Sequence, residues 1–261
     1  MISIKESFRA GLNMRNNIME NDLLELIKKR HSTRAAFDPD KKVFKNDLEK
    51  ILESATWSPT AHNMQNFNIL VIDDKDLLEK IGNIKTKISA DFIRENFNQL
   101  SFSTEELKKK KVGIMGTMFP PSWCEPNADF EKIAKETPPS NLGYTMKDCP
   151  TLLIITYDKI KRAPASENDV LGFISLGCVM ENMWLMAESL GISMQIMSVF
   201  AAEGDVEKQL KELLSIPDNQ KIAFAIRLGY PVTIADYIRV RRNVEDFTSL
   251  NGFNNKFTVG N

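Results

Sequence analysis

The sequence predicts an α+β fold, an α/β sandwich of helices around one sheet. Three observations predict it. The 261 residues carry 43% apolar and 26% charged side chains, near the averages of globular chains and enough for a sizeable core. Helical and strand-like periodicities are mixed along the chain, with few hairpin signals. No internal repeat or low-complexity tract interrupts them.

The elements follow in order. Asp22–Arg30 reads as a helix: Asn21 or Asp22 caps it, Leu23, Leu26 and Ile27 form a stripe, and Lys28–Arg30 suit its negative end. A second helix starts at Asn46 or Asp47, with Leu48, Ile51, Leu52 and Ala55 on one face, and Pro59 enforces its stop. Phe67–Ile72 is an apolar run of strand length bounded by Asp73 and Asp74, and a helix from Lys75 to about Ile81 follows. Residues 83–148 show one charged helix, Thr104–Lys111, and a loop-rich stretch holding Pro120, Pro121, Pro126, Pro138 and Pro139. Thr151–Tyr157, behind Pro150, reads as a buried strand. Asn168–Leu190 is the longest helix and is apolar on almost every side, so both its faces are expected to be covered. Ser193–Val199 reads as a strand, Asp205–Leu214 as an amphipathic helix, and Lys221–Leu228 as a strand ending at Gly229-Tyr230-Pro231. The tail, 236–261, is polar with isolated Phe247, Phe253 and Phe257, and reads as an arm that packs on something else.

Composition narrows the chemistry. With 34 basic against 35 acidic side chains, no broad electrostatic footprint for nucleic acid is expected, although a local anion pocket is compatible with it. Glu181, Asn182 and Glu188 interrupt the apolar stretch Leu171–Ile192, so no membrane span is expected. Residues 1–20 lack the continuous apolar core of a signal peptide, which points to a soluble, cytoplasmic protein. Cys124, Cys149 and Cys178 are far apart and odd in number, which speaks against a disulfide framework. The two histidines, His31 and His62, stand at no ligand spacing from a Cys or another His, so no metal site is expected. No G-x-S-x-G elbow accompanies them, and neither G-x-G-x-x-G nor G-x-x-x-x-G-K-[ST] occurs. If the chain is an enzyme, a cofactor supplies its chemistry.

Three polar clusters stand out. Arg30-His31-Ser32-Thr33-Arg34 places two guanidiniums and two hydroxyls within five residues, a set able to surround a phosphate or to dress a helix C-terminus with cations. In Ser58–Gln65, Asn63 and Gln65 each pair a donor with an acceptor, which suits the edge of a planar heterocycle, while the same Ser, Pro and Asn also make an ordinary turn. Arg239-Val240-Arg241-Arg242 is either the far wall of an anion site or a solvated face. Lys108–Lys111 follows Glu105 and Glu106 on a helix and reads as surface.

Together, in this order, these clusters resemble the FMN-dependent nitroreductase family. The resemblance covers residues 22–82 and 149–247, only loosely 83–148, and not 1–20. Arg30 to Phe37 answers an Arg-[Arg/His]-Ser-x-[Arg/Lys]-x-Phe segment with one extra residue before Phe37, and Ser58 to Phe67 answers Ser/Ala-Pro-Ser-x-x-Asn-x-Gln-Pro-Trp. Cys149-Pro150 before a strand, Ala187-Glu188-Ser189-Leu190-Gly191 ending the long helix, Leu228–Pro231, and the pair Arg239/Arg241 complete the pattern. In two places the chain departs from it. Asn66-Phe67 replaces Pro-Trp and loosens the entry to the strand, and Ser198 stands where many members have Gly.

The resemblance implies one nitroreductase-like FMN-binding domain over 21–250 with a central mixed sheet flanked by helices. Within it, 83–148 is a variable lid or insert; 1–20 is an N-terminal extension and 251–261 a C-terminal tail. It implies an intertwined homodimer with FMN at the interface. Arg30, Ser32, Arg239 and Arg241 would hold the phosphate with His31 beside them, and Arg34 would stand near the N1–C2=O edge of the ring. Pro59, Thr60, Asn63 and Gln65 would belong to the ring site, reached from the partner copy. Glu203-Gly204, or the backbone of Met197–Val199 including Ser198, would lie beside flavin N5. The implied activity is a ping-pong transfer from NADH or NADPH through FMN to a nitroaromatic, quinone or similar small-molecule acceptor, with no catalytic acid or base demanded of the protein. Two other activities are compatible with the same ligands: a flavin-dependent reductive dehalogenase using Tyr144, Lys147 or Trp123 in a lid, and a flavin-binding protein without turnover.

Overall fold

The computed structural model describes residues 22–96, 101–116, 120–123, 125, 127–164, 166–201, 205–233 and 238–259. These residues form two compact units, 22–84 with 141–233 and 85–140 with 238–259.

The first unit contains, in chain order, α1 (22–29), α2 (Lys45–Thr56), β1 (Asn68–Ile72), α3 (Lys75–Gly82), β2 (Thr151–Asp158), α4 (Val170–Ser189), β3 (Ser193–Met197), α5 (Asp205–Leu214) and β4 (Gln220–Gly229). The sheet order is β1-β2-β4-β3, with every neighbouring pair antiparallel. All eight residues of β2 are buried, because successive side chains go to opposite faces and both faces are clad. Leu152 and Ile154 join Ile72, Leu78, Ile81, Met197 and Phe200 on one side. Leu153 and Ile155 join Ile51, Ala55, Val179, Met183 and Ala187 on the other.

Helix starts follow local chemistry. α3 begins where Asp74 accepts from the Leu77 N–H at 2.8 Å. α2 begins at Lys45, just ahead of the expected Asn46 or Asp47, with Phe44 at the cap position and no side-chain cap. α4 starts two residues later than expected, because Asn168 and Asp169 are left-handed, with φ of 51° and 56°.

α4 departs from expectation in two further ways. Its Val179, Met183 and Ala187 seat against the sheet and α2, but Val170, Phe173 and Ile174 are 54%, 52% and 58% exposed, so this unit covers one face only. By length and composition α4 is also apolar enough to cross a membrane, despite its interrupting Glu181, Asn182 and Glu188.

The second unit is more helical than its sequence suggests. Short helices span Ala90–Arg94, Thr104–Lys110 and Phe130–Glu136. Each is capped by its own chain: Ser89, Ser103 and Asp129 accept from the N–H groups of Phe92, Glu106 and Lys132 at 3.1, 3.2 and 3.0 Å. Glu106 closes a capping box by accepting from the Ser103 N–H, a bond that holds its carboxyl below the ordinary carboxylate range. Ala90, Ile93, Trp123 and Ala134 form this unit's core, so Trp123 is a packing residue. In the C-terminal arm Ser249 bridges Lys256, and Phe253 is 96% exposed.

Gly229 ends β4 where no side chain fits, since a Cβ there would meet Pro150 Cγ at 2.8 Å and Phe37 Cδ2 at 2.9 Å. Gly229→Ala is therefore expected to cost about 1–3 kcal/mol. Urea unfolding of the two proteins checks it.

Candidate functional site

The stretch after α1 is shaped by the free edge of β3. Ser32 makes a parallel bridge with Met194, and the Thr33 N–H donates to the Met194 carbonyl at 2.9 Å. This parallel element is what makes the sheet mixed. The chain then turns and pairs antiparallel with the end of β4: Phe37, fully buried, opposes Pro231, and the Asp38 N–H donates to the Tyr230 carbonyl at 2.9 Å.

Arg30 and His31 lie just ahead of the first anchor, Ser32 belongs to it, and Arg34 lies between the two. The Arg30 guanidinium lies 4.4 Å over the Trp184 ring on α4, and its Nε is 3.2 Å from Glu181 Oε1. The carboxylate balances charge without lying on the N–H direction, so Arg30 Nε remains a buried donor with no hydrogen-bond acceptor, as does Trp184 Nε1. His31 is held from both sides, Nδ1 at 3.0 Å from the Lys29 carbonyl and Nε2 at 3.4 Å from Thr33 Oγ1. Arg34 is exposed, while Thr33 beside it is buried.

The second cluster is a strained loop. His62, Asn63 and Gln65 all have positive φ, at 52°, 52° and 46°, a region that favours glycine. It persists because surrounding bonds dictate it: Ser175 Oγ accepts from the Ala61 N–H at 3.0 Å, Thr60 Oγ1 from the Gln65 N–H at 3.2 Å, and Asn63 Oδ1 from Gln65 Nε2 at 2.9 Å. Ser58 is buried against α4, where Asn182 Nδ2 donates to its hydroxyl at 2.9 Å. Pro59 is exposed and Thr60 half-buried.

Asn66 corrects an expectation. Instead of loosening the strand entry, its Nδ2 donates to the Asp158 and Lys161 carbonyls and its Oδ1 accepts from the Asp158 N–H at 3.2 Å. Hydrogen bonds thus replace proline's stiffness.

The structure seats the first two clusters on different faces of α4. Arg30 meets Glu181 and Trp184; Ser58 and Ala61 meet Ser175, Cys178 and Asn182, about a third of a turn away. Ser198 is exposed just beyond β3 and is followed by a short turn, Val199–Ala201. Glu203 and Gly204 lie outside the described residues. Arg239 and Arg241 belong to the second unit; both are exposed, and Arg241 Nη1 donates to the Val240 carbonyl at 2.7 Å. Among the described residues no cluster of three or more His, Cys, Asp or Glu could hold a metal ion.

Two features stand apart from the predicted flavin ligands, although Lys147, named above for a dehalogenase, belongs to the first. A cavity of about 430 Å³ in the first unit is lined by Lys42, Leu78, Met146, Lys147, Cys149 and Pro150, with Asp40 and Lys75 paired at its rim. Next to Cys149 lies Arg227, 3% exposed, its Nη1 donating to Gln195 Oε1 at 2.7 Å and its Nη2 to the Asp148 carbonyl at 3.0 Å. Its signal was a lone arginine inside the apolar run of β4.

The family model described as the nitroreductase family matches residues 27–230. An NAD(P)H nitroreductase of Bacillus subtilis is 28% identical over 123 residues, covering 39% of this chain and 58% of that protein. The chain thus spans under two thirds of that relative's length. A protein of Archaeoglobus fulgidus, named as an NADH dehydrogenase/NAD(P)H nitroreductase, is 25% identical over 219 residues, covering 83% of this chain and 89% of its own. Among solved structures, a Bacteroides fragilis nitroreductase with bound FMN superposes with a TM-score of 0.52 at 22% identity, covering 88% of this chain and 98% of its own. At that identity the likeness speaks for the fold.

Burial pushes the Cys149 thiol up to about 11, with the Arg227 charge opposing the shift. A thiol that ionises in the unfolded chain near its ordinary value, and in the folded one near 11, binds its proton more tightly when folded. Its contribution to stability is full at neutral pH and is lost as pH rises toward 11. In a Cys124→Ser, Cys178→Ser background, a disulfide reagent at about pH 8 is expected to label Cys149 only on unfolding. Labelling with and without urea checks this.

Proposed function

The chain belongs to the nitroreductase family, and from that membership we propose that it is an FMN-dependent oxidoreductase, using NADH or NADPH to reduce a nitroaromatic, quinone or similar acceptor. The observation that carries the reading is the Arg30 anchor, a guanidinium stacked on Trp184, with Arg30 Nε and Trp184 Nε1 both buried and without an acceptor. Orphaned donors and a cation fit an anionic, oxygen-rich group such as the FMN phosphate. Arg30 and Ser32 would hold that phosphate, and His31 would stand beside them. Arg34 would place a cation where negative charge builds on the reduced ring. Pro59, Thr60, Asn63 and Gln65 would meet the ring from a second copy, and Met197–Val199 or Glu203-Gly204 would border its N5.

The chemistry that FMN supplies when bound is acceptance of a hydride from the nicotinamide and delivery of its electrons to the second substrate, in ping-pong order. The protein's part is to fix the phosphate, orient the ring and set its electrostatics. Backbone strain at His62, Asn63 and Gln65 supports a binding role, because sparsely populated conformations cluster at ligand-binding sites.

The proposed assembly is a homodimer through α4. Val170, Phe173, Ile174 and Gly177 lie at helical spacing with Glu181 and Trp184, so the bare apolar stripe of α4 runs into the Arg30 anchor. A second copy covering that stripe would close the flavin site in the same step. The proposed compartment is the cytoplasm, which supplies both nicotinamides and keeps Cys149 and Cys178 as free thiols.

Two outcomes follow. Purified protein, reconstituted if necessary, is expected to carry a flavin spectrum that bleaches on anaerobic addition of NADH or NADPH, and Arg30→Ala is expected to raise the FMN dissociation constant about ten- to hundredfold. Protein that takes up no FMN refutes the reading. Phe173→Glu with Ile174→Lys is expected to turn a dimer into a monomer that loses its flavin, as read by analytical ultracentrifugation at flavin and protein wavelengths.

A further inference from the structure

Arg227 is a charge buried without a counter-charge. Its partners among the described residues are neutral: Gln195 Oε1 at 2.7 Å, the Asp148 carbonyl at 3.0 Å, the Phe37 ring at 4.7 Å and the buried Cys149 thiol, while its Nε has no acceptor. Burying a guanidinium with no paired anion is costly to stability, so its presence asks for a use. What it touches suggests the use. Phe37 belongs to the stretch that carries Arg30 to Arg34, and Gln195 stands opposite Arg227 on β3, next to the Met194 that pairs with Ser32 and Thr33.

The contact fixes the orientation of the Gln195 amide. Arginine only donates, so the oxygen of the amide must face it and Nε2 must face away. Gln195 is half-buried, and its Nε2 has no acceptor among the described residues. The result is a preset pair of N–H donors on the edge strand, polarised from behind by a full positive charge in a dry setting.

We propose that Gln195 is a ring-contacting residue, its Nε2 donating to a carbonyl oxygen of the bound flavin, and that Arg227 is the positioning residue that orients it and lends it charge. This rests on the FMN reading above. Donors strengthened in this way favour the electron-rich, reduced ring, so the pair would raise the flavin's reduction potential in concert with Arg34. The sequence segment that supplies Arg34 and the strand that supplies Gln195 are hydrogen-bonded neighbours, which places both contributions on one local scaffold.

The test compares wild type, Gln195→Leu and Gln195→Glu, each reconstituted with FMN. Gln195 is half-buried, so both variants are expected to fold, and circular dichroism melting confirms it. Gln195→Leu is expected to weaken FMN binding about tenfold, as read by flavin fluorescence, and to shift the midpoint potential negative. Gln195→Glu keeps the size but pairs with Arg227 and cancels its field, so its potential is expected to fall further than that of the leucine variant. Folded variants that match wild type in FMN affinity, visible spectrum and midpoint potential overturn the proposal while leaving the FMN reading intact. A wild type that takes up no FMN overturns both.

Discussion

The hydrogen bond from the Thr33 N–H to the Met194 carbonyl is the constraint on which the candidate site depends. β3 is the outer strand of the sheet, and an outer strand presents unpaired backbone groups that must be covered. By covering them with the stretch after α1, the fold lays Arg30, His31, Ser32 and Arg34 along an edge whose position is set by the core. The stacking of Arg30 on Trp184 and the burial of Phe37 against the end of β4 inherit that register. A ligand site built this way is as rigid as the sheet, although its residues belong to a connecting segment.

α4 answers two demands that conflict. One side must bury Val179, Met183 and Ala187 in the core, which favours a continuous apolar surface. The opposite side carries Glu181, bearing on Arg30, among residues that are also apolar. The outcome is a helix with little contrast between its faces. Lacking a polar face, it meets the criteria for a membrane helix while serving as the central helix of a packed unit.

The legible parts of the sequence were those where one physical term dominates. β2 could be placed because eight consecutive residues are buried, and α3 because Asp74 caps it and apolar residues recur behind the cap. The basic cluster and the Ser58–Gln65 segment were visible as chemistry, and the structure holds each by definable contacts. Of the short helices of the second unit, Thr104–Lys110 is legible in the sequence and the other two are not. Ala90–Arg94 has five residues and Phe130–Glu136 has seven, too few turns for a period to repeat, so capping decides them and capping is a weak signal in a loop-rich context. At Asn66 stiffness does not require proline, because a side-chain amide bonded at three points holds the strand entry. For Arg227 the sequence offers only a lone arginine in an apolar run, which fits a strand's rim as well as its sealed interior.

The left-handed residues of the 62–65 loop carry an implication for how this sequence balances its requirements. Glycine at any of these three positions would adopt the same backbone without steric conflict. The chain places imidazole and carboxamide groups there instead, each held in a conformation that costs of order 1–3 kcal/mol. Stability is left unclaimed at this loop in exchange for polar side chains at its tip. A search for more thermostable versions of the protein would therefore be drawn to this loop, and would gain robustness by erasing the groups that distinguish it from a simple turn.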